Sequence, residues 1–460
     1  MQFLLVIAGW FAVITSTLII VVPYARGKSD LITSWNLYNV GCINFLGIAS
    51  IQSGYALSHA YIVPQPQDYS TFAIGVLVFY VVSVPTYYFF KPVQRFADGR
   101  LRKVGSRSVQ AMLGLLPIAL LLTLGYLFVP NIQFLGQWMM LIGKAAPVIA
   151  VALVLVAWAQ RPYNIGMPIL GGIVLLGALV ATSNEFSRRD FLGAVLTVVV
   201  CWYWLRARYL NRARMMLTLC IFGAIATFLI AGYSIARFAR VNPDLNIIQA
   251  AWAKVSSIPQ AFTHPDSTTQ IFGGDTTEAS LAAIRLYDQS LPTAPFHTLK
   301  YILLHPVPRA WWPDKPSALG ITLPQDTGYG RAHFSSVNLG PGIIGHGFHE
   351  GGYFFVAFYA FLFAASSRFF DSLLIKDPSN PYLLGALGAA SGQIVGLVRG
   401  EIGLFMVMII AAFLAAMLFN YLGRFFFGTE YLPSREELAQ MQADESAFGA
   451  HPFQPADSWG

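Results

Sequence analysis

Apolar stretches of about 20 residues alternate with short polar connections along most of this chain, and the alternation is broken once. A helix needs about 20 apolar residues to cross a hydrocarbon core, so each stretch predicts a crossing. Eleven are read, near 3–22, 38–57, 71–90, 110–129, 133–159, 164–183, 190–206, 214–235, 351–370, 381–398 and 402–423. The fifth is long and carries Lys144 inside it, which predicts a short surface helix followed by a span from about Ala145. Between the eighth and ninth stretches lies the one long polar interval, 237–350. The chain therefore divides into 1–236 with about eight spans, the loop 237–350, 351–427 with about three spans, and a polar tail, 428–460, expected to be loosely attached.

Inside the loop the pattern turns local. Asp275 followed by Glu278 has capping-box spacing, and Leu281, Ile284 and Leu291 fall near one face. This predicts an amphipathic helix over about 276–290, lying on the membrane surface. A second short helix is predicted at 297–304, stopped by Pro306 and Pro308. From there to about 345, prolines and glycines forbid long regular structure. Long irregular loops in compact proteins are usually functional. No internal repeat of the kind common in secondary transporters is visible.

Composition sharpens the picture. Only 11% of the 460 residues are charged and 56% are hydrophobic, where a soluble domain carries about 25% charge. The mean hydropathy is +0.57. An all-α polytopic membrane protein follows. The net charge of +7 does not point to nucleic acid, because the loop 237–350 holds eight basic and eight acidic residues and no basic stripe. The basic residues gather in short connections instead: six at 91–107, and Arg206, Arg208, Arg212 and Arg214 at the next such turn. The positive-inside rule then puts the N-terminus outside, the C-terminus in the cytoplasm and the large loop outward. The first 22 residues lack a basic leader and a cleavage site, and read as a retained helix. Cys42, Cys201 and Cys220 all fall in apolar stretches, so no disulfide is expected to hold the loop.

Six of the eight histidines lie in the loop: His264, His297, His305, His333, His346 and His349. Its centre reads Pro308-Arg309-Ala310-Trp311-Trp312-Pro313-Asp314-Lys315-Pro316. Tryptophans favour headgroup depth, and a guanidinium there suits a lipid-linked phosphate through its planar fork. An equally open reading makes Arg309 and Lys315 anchors that snorkel to the headgroups. Further candidate cations are Arg331 between flexible glycines, Arg399 in Val398-Arg399-Gly400-Glu401, and Arg285, with Arg188 behind them. Arg399 and Glu401 also read as a local ion pair at a helix–helix turn. For a base, His346 and His349 stand three apart at the start of the ninth span, with Glu350 next. Helical spacing places the two imidazoles on one face, near the pKa that suits general-base work. His346-x-x-His349-Glu350 matches neither HExxH nor HxxEH, so no metal and no cofactor is expected.

The PRAWWPDKP segment and the glycine-rich exit GIIGHGFHEGGYFFVAF resemble bacterial oligosaccharide repeat-unit polymerases of the Wzy type and their relatives, the O-antigen ligases. The specific likeness covers about 50 residues; the rest is agreement in architecture. The resemblance implies a GT-C-like fold and an inverting, metal-independent glycosyltransferase. It also implies donor and acceptor glycans on undecaprenyl diphosphate at the periplasmic face of the inner membrane. The growing chain would pass en bloc to a new lipid-linked unit, alongside a chain-length regulator and a flippase. By the same resemblance the base falls among His346, His349 and Glu350, with Arg309, Arg331, Arg399, Lys315 and Arg285 facing the diphosphate. The alternatives carried forward are an O-antigen ligase and a transporter or flippase of lipid-linked glycans.

Overall fold

The computed structural model describes residues 2–55, 62–100, 103–128, 133–183, 188–218, 275–328 and 339–431, with 220, 221 and 223, and is mostly helical. α1 (Phe3–Ala25) is followed by a return pass in three parts: α2 (Ser34–Gly41), a π-helical turn (Cys42–Ile48) and α3 (Ala49–Tyr55). α4 (Pro66–Phe89) leads into α5 (Lys91–Arg100) and strand β1 (Lys103–Gly105). Then come α6 (Val109–Gly114), α7 (Leu116–Phe128), α8 (Gln133–Gln160), α9 (Gly166–Ser183) and α10 (Arg188–Leu205). Four short helices follow from the large loop: α11 (Asp275–Gln289), α12 (His297–Leu304), α13 (Leu319–Asp326) and α14 (Gly342–Glu350). The last passes are α15 (Tyr353–Lys376), α16 (Pro381–Gly396) and α17 (Ile402–Phe427), ending in strand β2 (Thr429–Tyr431).

Among the described residues six helical stretches are long and apolar enough to cross a membrane: α1, α4, α6 with α7, Met139–Gln160 of α8, α15 and α17. The other predicted crossings are shorter or interrupted. The stretch at 38–57 is divided by the π-helical turn, α9 and α10 have 18 residues each, and α16 has 16. The predicted span at 214–235 lies largely outside the described residues. The helices are apolar on both sides. Trp10, Leu18, Val81, Leu121, Ile173 and Met417 are each more than half exposed, which suits a chain solvated by lipid. α8 is the central pass, packed against α7, α9, α10, α16 and α17. It is one continuous helix through Lys144, so the predicted break before Ala145 is absent.

Small residues let the passes approach. A Cβ at Gly388 would meet Thr197 Oγ1 at 2.0 Å, and one at Gly392 would meet the Arg189 carbonyl at 2.0 Å. With Gly385 against Ile149, these glycines form a stripe at helical spacing along α16. That is the small-residue packing by which helices associate in lipid.

Contacts also distinguish two ends of the bundle. At the first, Asp371 of α15 is fully buried and accepts from Ser34 N (2.7 Å), Ser34 Oγ (2.8 Å), Trp35 N (3.2 Å) and Tyr87 OH (2.8 Å). Together with the Thr33 side chain, which accepts from Asn36 N, it satisfies the N–H groups that open α2. At the same end β1 pairs antiparallel with β2, and Arg107 binds both Glu430 (2.9 Å) and Asp377 (2.8 Å). The start of the polar tail is thus held in a sheet, contrary to the loose attachment expected for it; residues 432–460 lie outside the described residues. At the opposite end the four short helices fold onto the starts of α15 and α17 and the end of α3.

Candidate functional site

α11 carries the periodicity read from sequence, but it does not lie on the membrane surface. Residues 276–284 are buried throughout, packed on α14, α4 and α3. Its second face is built of small groups, Thr276, Thr277, Ser280 and Ala283, which pass as polar in a pattern yet pack as core. Ser280 donates to its own turn at Thr276 and to the Pro341 carbonyl, which ties α11 to the opening of α14.

His346, His349 and Glu350 were expected at the start of the ninth span. They lie instead on a separate short helix, α14. Gly351 (φ 143°) and Gly352 (φ 81°) break the chain between α14 and α15 in conformations that L side chains rarely adopt. The break turns α14 inward, so His346, His349 and Glu350 are buried beneath the loop rather than facing headgroups.

The network starts from the N-terminus of α12. Phe296 sits there in the left-handed region (φ 60°, ψ 21°) and provides no side-chain cap. Glu350 supplies it, accepting from Thr298 N at 2.8 Å with Oε1 while Oε2 accepts from Tyr359 OH at 2.7 Å. Thr298 Oγ1 lies 3.0 Å from His346 Nδ1. Ile402 N donates to His346 Nε2 at 3.4 Å, which makes Nε2 the acceptor and leaves the proton on Nδ1, facing Thr298. Glu401, just before α17, brings Oε2 to 3.6 Å from the same Nε2 and accepts from Gly320 N at 2.6 Å.

Burial governs the charges here. It pushes Glu401 up to about 7, only partly offset by the Gly320 N–H, and it raises Glu350 as well. It also drives His346 well below its usual range, helped by His349 and His297. His349 falls to about 4, by burial first and His297 second. The His346–Glu401 contact is therefore not an ion pair with a charged imidazole: His346 stays neutral and Glu401 gains and loses its own proton near neutrality. His349 is wedged edge-on between Tyr287 (4.5 Å) and His297 (4.8 Å), and its Nδ1 has no partner among the described residues.

The turn after α12 is stapled from within. Lys315 is buried and donates to the carbonyls of His305 (2.6 Å) and Val307 (2.9 Å), closing the end of α12. Arg309 donates to the Pro313 and Lys315 carbonyls and to Ser317 Oγ. Among the described residues these engage three of the guanidinium's five N–H donors, on a side chain that stays exposed. Trp311 and Trp312 project outward, 64% and 45% exposed. Lys315 is thereby a structural staple, and its pKa is lowered by burial and then by Arg309.

One residue links the exposed turn to the buried network. Tyr301 of α12 is raised to about 12 by burial, then by Glu401, while Arg309 acts on it in the opposite sense. Its hydroxyl thus lies within the fields of both. Of the other cations, Arg399 stands over the Phe45 ring at 5.4 Å, and Arg285 is half-buried on α11. Arg331, His264 and His333 lie outside the described residues, as does the side chain of Arg188.

The structure thus gathers His346, His349 and Glu350 as expected and adds Glu401, Thr298, Tyr301 and Tyr359. Of these only Glu401 had been singled out, as a local partner of Arg399; in the structure it also meets His346 and the backbone of Leu319, Gly320 and Gly403. Among the described residues no three His, Cys, Asp or Glu side chains converge as a metal site. No family model, curated protein or solved structure matches this chain.

Proposed function

We propose that this protein is a polysaccharide polymerase of the inner bacterial membrane, working at the periplasmic face. It moves a growing glycan from undecaprenyl diphosphate onto the next lipid-linked repeat unit, with a GT-C-like architecture and no metal. The observation that carries the reading is Glu401, held 3.6 Å from the neutral His346 imidazole beneath a loop whose exposed turn carries Arg309.

The reaction needs those two capacities side by side. The acceptor hydroxyl attacks the anomeric carbon of the donor, the bond to the diphosphate oxygen breaks, and the diphosphate leaves with the electron pair. Arg309, whose guanidinium is exposed, faces the developing negative charge. The hydroxyl proton passes toward Glu401, whose pKa of about 7 suits a base at neutral pH. Glu401 is 4% exposed and covered by the first turn of α13 through Gly320. Acceptor entry therefore requires α13 to lift.

Purified protein reconstituted with undecaprenyl-diphosphate-linked repeat units and EDTA is expected to yield a ladder of polymer. Arg309→Ala is expected to abolish the ladder while thermal unfolding stays within about 1 kcal/mol of the parent, since the side chain is exposed. A ladder made at the parent's rate by that variant would remove Arg309 from the diphosphate. Transfer to a lipid A core acceptor without a ladder would favour a ligase. Lipid-linked glycan crossing the vesicle membrane unreacted would favour a flippase.

A further inference from the structure

Two turns meet at the end of the bundle that carries the sheet: residues 26–33, between α1 and α2, and residues 206–214, after α10. They are strapped together. Leu31 N donates to Tyr203 OH at 2.7 Å, Trp204 Nε1 donates to the Ile32 carbonyl at 2.9 Å, and Arg208 pairs with Asp30 at 3.2 Å. The two turns hold six cations, Arg26, Lys28, Arg206, Arg208, Arg212 and Arg214, and one acidic residue, Asp30. Asp30 is already engaged by Arg208 and by Tyr203 OH, which donates to it at 3.2 Å. The other five cations are exposed.

Basic residues at a helix end are first of all a topological signal. Two features go beyond that. The Arg212 guanidinium lies on Gly27, where a Cβ would fall 2.3 Å from Nη2 and 2.7 Å from Nη1. Gly27 also has φ 71°, so the turn requires glycine for its backbone and for its neighbour. The second feature is a pair of hydroxyls. Tyr24, 4% exposed on the last turn of α1, and Ser29 keep OH and Oγ from solvent with no partner among the described residues. The Tyr24 hydroxyl lies in the fields of Arg212 from one turn and Asp30 from the other. A buried hydroxyl without a partner is costly, and a donor beside a guanidinium suits an anion that accepts from both.

Location and charge choose the anion. Tyr24 is the second-last residue of α1 and Arg206 the first after α10, so the patch stands at the ends of passes and not inside them. Tyr209 and Leu210, beside the cations, are 75% and 56% exposed. Positive charge and apolar surface together fit a bilayer boundary better than a soluble anion. The patch is open surface, so a phosphodiester needs no cavity. A zwitterionic headgroup gains less, because its ammonium meets exposed cations and a carboxylate already paired.

We propose that these two turns form a headgroup site for an anionic phospholipid. Its phosphodiester lies against Arg212, flanked by Arg26 and Lys28, and accepts from the Tyr24 hydroxyl. Its acyl chains run down the exposed face of α1 past Leu18 and Ile14. Arg212 is exposed, so the phosphate reaches Tyr24 by turning one surface side chain, without parting helices. This site does not depend on the glycan-transfer reading.

The test is lipid retention by the full chain in detergent, read by native mass spectrometry and thermal unfolding. Phosphatidylglycerol, phosphatidylethanolamine and phosphatidylcholine are offered separately, with inorganic phosphate as the soluble control. Phosphatidylglycerol is expected to be retained about tenfold better than phosphatidylcholine. Arg212→Gln is expected to lower that preference about fivefold, and Tyr24→Phe, which removes no charge, about threefold. Arg95→Gln, an equal loss of charge at an exposed position of α5, is expected to leave it within about twofold. Equal retention of the three lipids, an unchanged preference in Arg212→Gln, or an equal fall in Arg95→Gln would overturn the proposal. Inorganic phosphate stabilising the protein as much as phosphatidylglycerol would overturn it too. Should Tyr24→Phe fail to fold, the two exposed arginine variants still decide it.

Discussion

The two ends of the bundle use the same device with opposite outcomes. At each, a buried carboxylate from a distant helix caps the N-terminus of another: Asp371 caps α2 and Glu350 caps α12. Asp371 accepts from four donors. Nearby, Arg107 lies between Asp377 and Glu430, and Glu430 is drawn below the usual range by its bonds to Arg107, which more than offset burial. At the other end Glu350 accepts from two donors, and Glu401 shares a histidine that burial keeps neutral. No arginine or lysine forms an ion pair with either among the described contacts. A region built only for stability resembles the first end. Burial raises Asp377 at the first end as it raises Glu350 and Glu401 at the second, so what separates the ends is the partner. Arg107 pairs with Asp377 and Glu430, whereas Glu401 meets a neutral histidine and is left near neutrality, a pattern characteristic of reactive sites.

Substitutions can break or sharpen this contrast. The largest effect is expected from Asp371→Ala, which strands two backbone N–H groups and the Tyr87 hydroxyl in a buried place. A loss of about 3–5 kcal/mol should appear as a collapse of thermal stability in detergent. A mild shift would mean that water replaces the carboxylate and that this end is less closed than its contacts imply.

Glu401→Gln comes next and has a defined sign. The folded pKa of Glu401 is raised to about 7 from an ordinary value of 4.5. The parent therefore loses stability as pH rises from about 4.5 through 7, because the charged form is the one that burial penalises. Glutamine still accepts from Gly320 and loses no proton. The variant should match the parent near pH 4.5 and exceed it above pH 7 by up to about 3 kcal/mol. Glycan transfer should nonetheless fall about a hundredfold or more. Equal unfolding curves at both pH values would place the Glu401 proton elsewhere.

His305 runs in the other direction. Burial, then Lys315, lowers it to about 4, so its contribution is complete above pH 6.5 and disappears as pH falls toward 4. His305→Gln should flatten the acid limb by about 1 kcal/mol once partial exposure is discounted. The smallest effect is expected from Trp311→Ala. The ring is 64% exposed, so unfolding should shift by less than about 0.5 kcal/mol, while association of the loop with bilayers weakens. A large loss of stability would show that Trp311 packs on the protein rather than on lipid.

Much of the scaffold was legible because apolar length is a local property. α12 runs over 297–304, the residues its pattern and the following prolines indicate. What was not legible depended on encounters between distant residues. The burial of α11 required small threonines, serines and alanines to act as core against α14. The inward turn of α14 hangs on Gly351 and Gly352, whose positive φ values leave no trace in hydrophobic periodicity. Glu401 reads in the sequence as the local partner of Arg399, two residues away; its approach to His346 spans 55 positions of chain and has no local signal. The cations show the same limit, since Lys315 turned out to close a helix and Arg309 to hold its own turn.

The short sheet at the tail end also sets an order of events during synthesis. Arg107 meets Asp377 across 270 positions and Glu430 across 323. At roughly 5–20 residues per second, β1 leaves the ribosome on the order of 15–60 s before its partner strand exists. Through that interval the later passes, from α6 to α17, are inserted with β1 unpaired. The sheet closes only when α17 has emerged and threaded in the correct direction, so a chain truncated or inverted late in biogenesis displays an open edge and an unpaired arginine. The clasp thus ties a turn from the first quarter of the chain to the end of its last described pass.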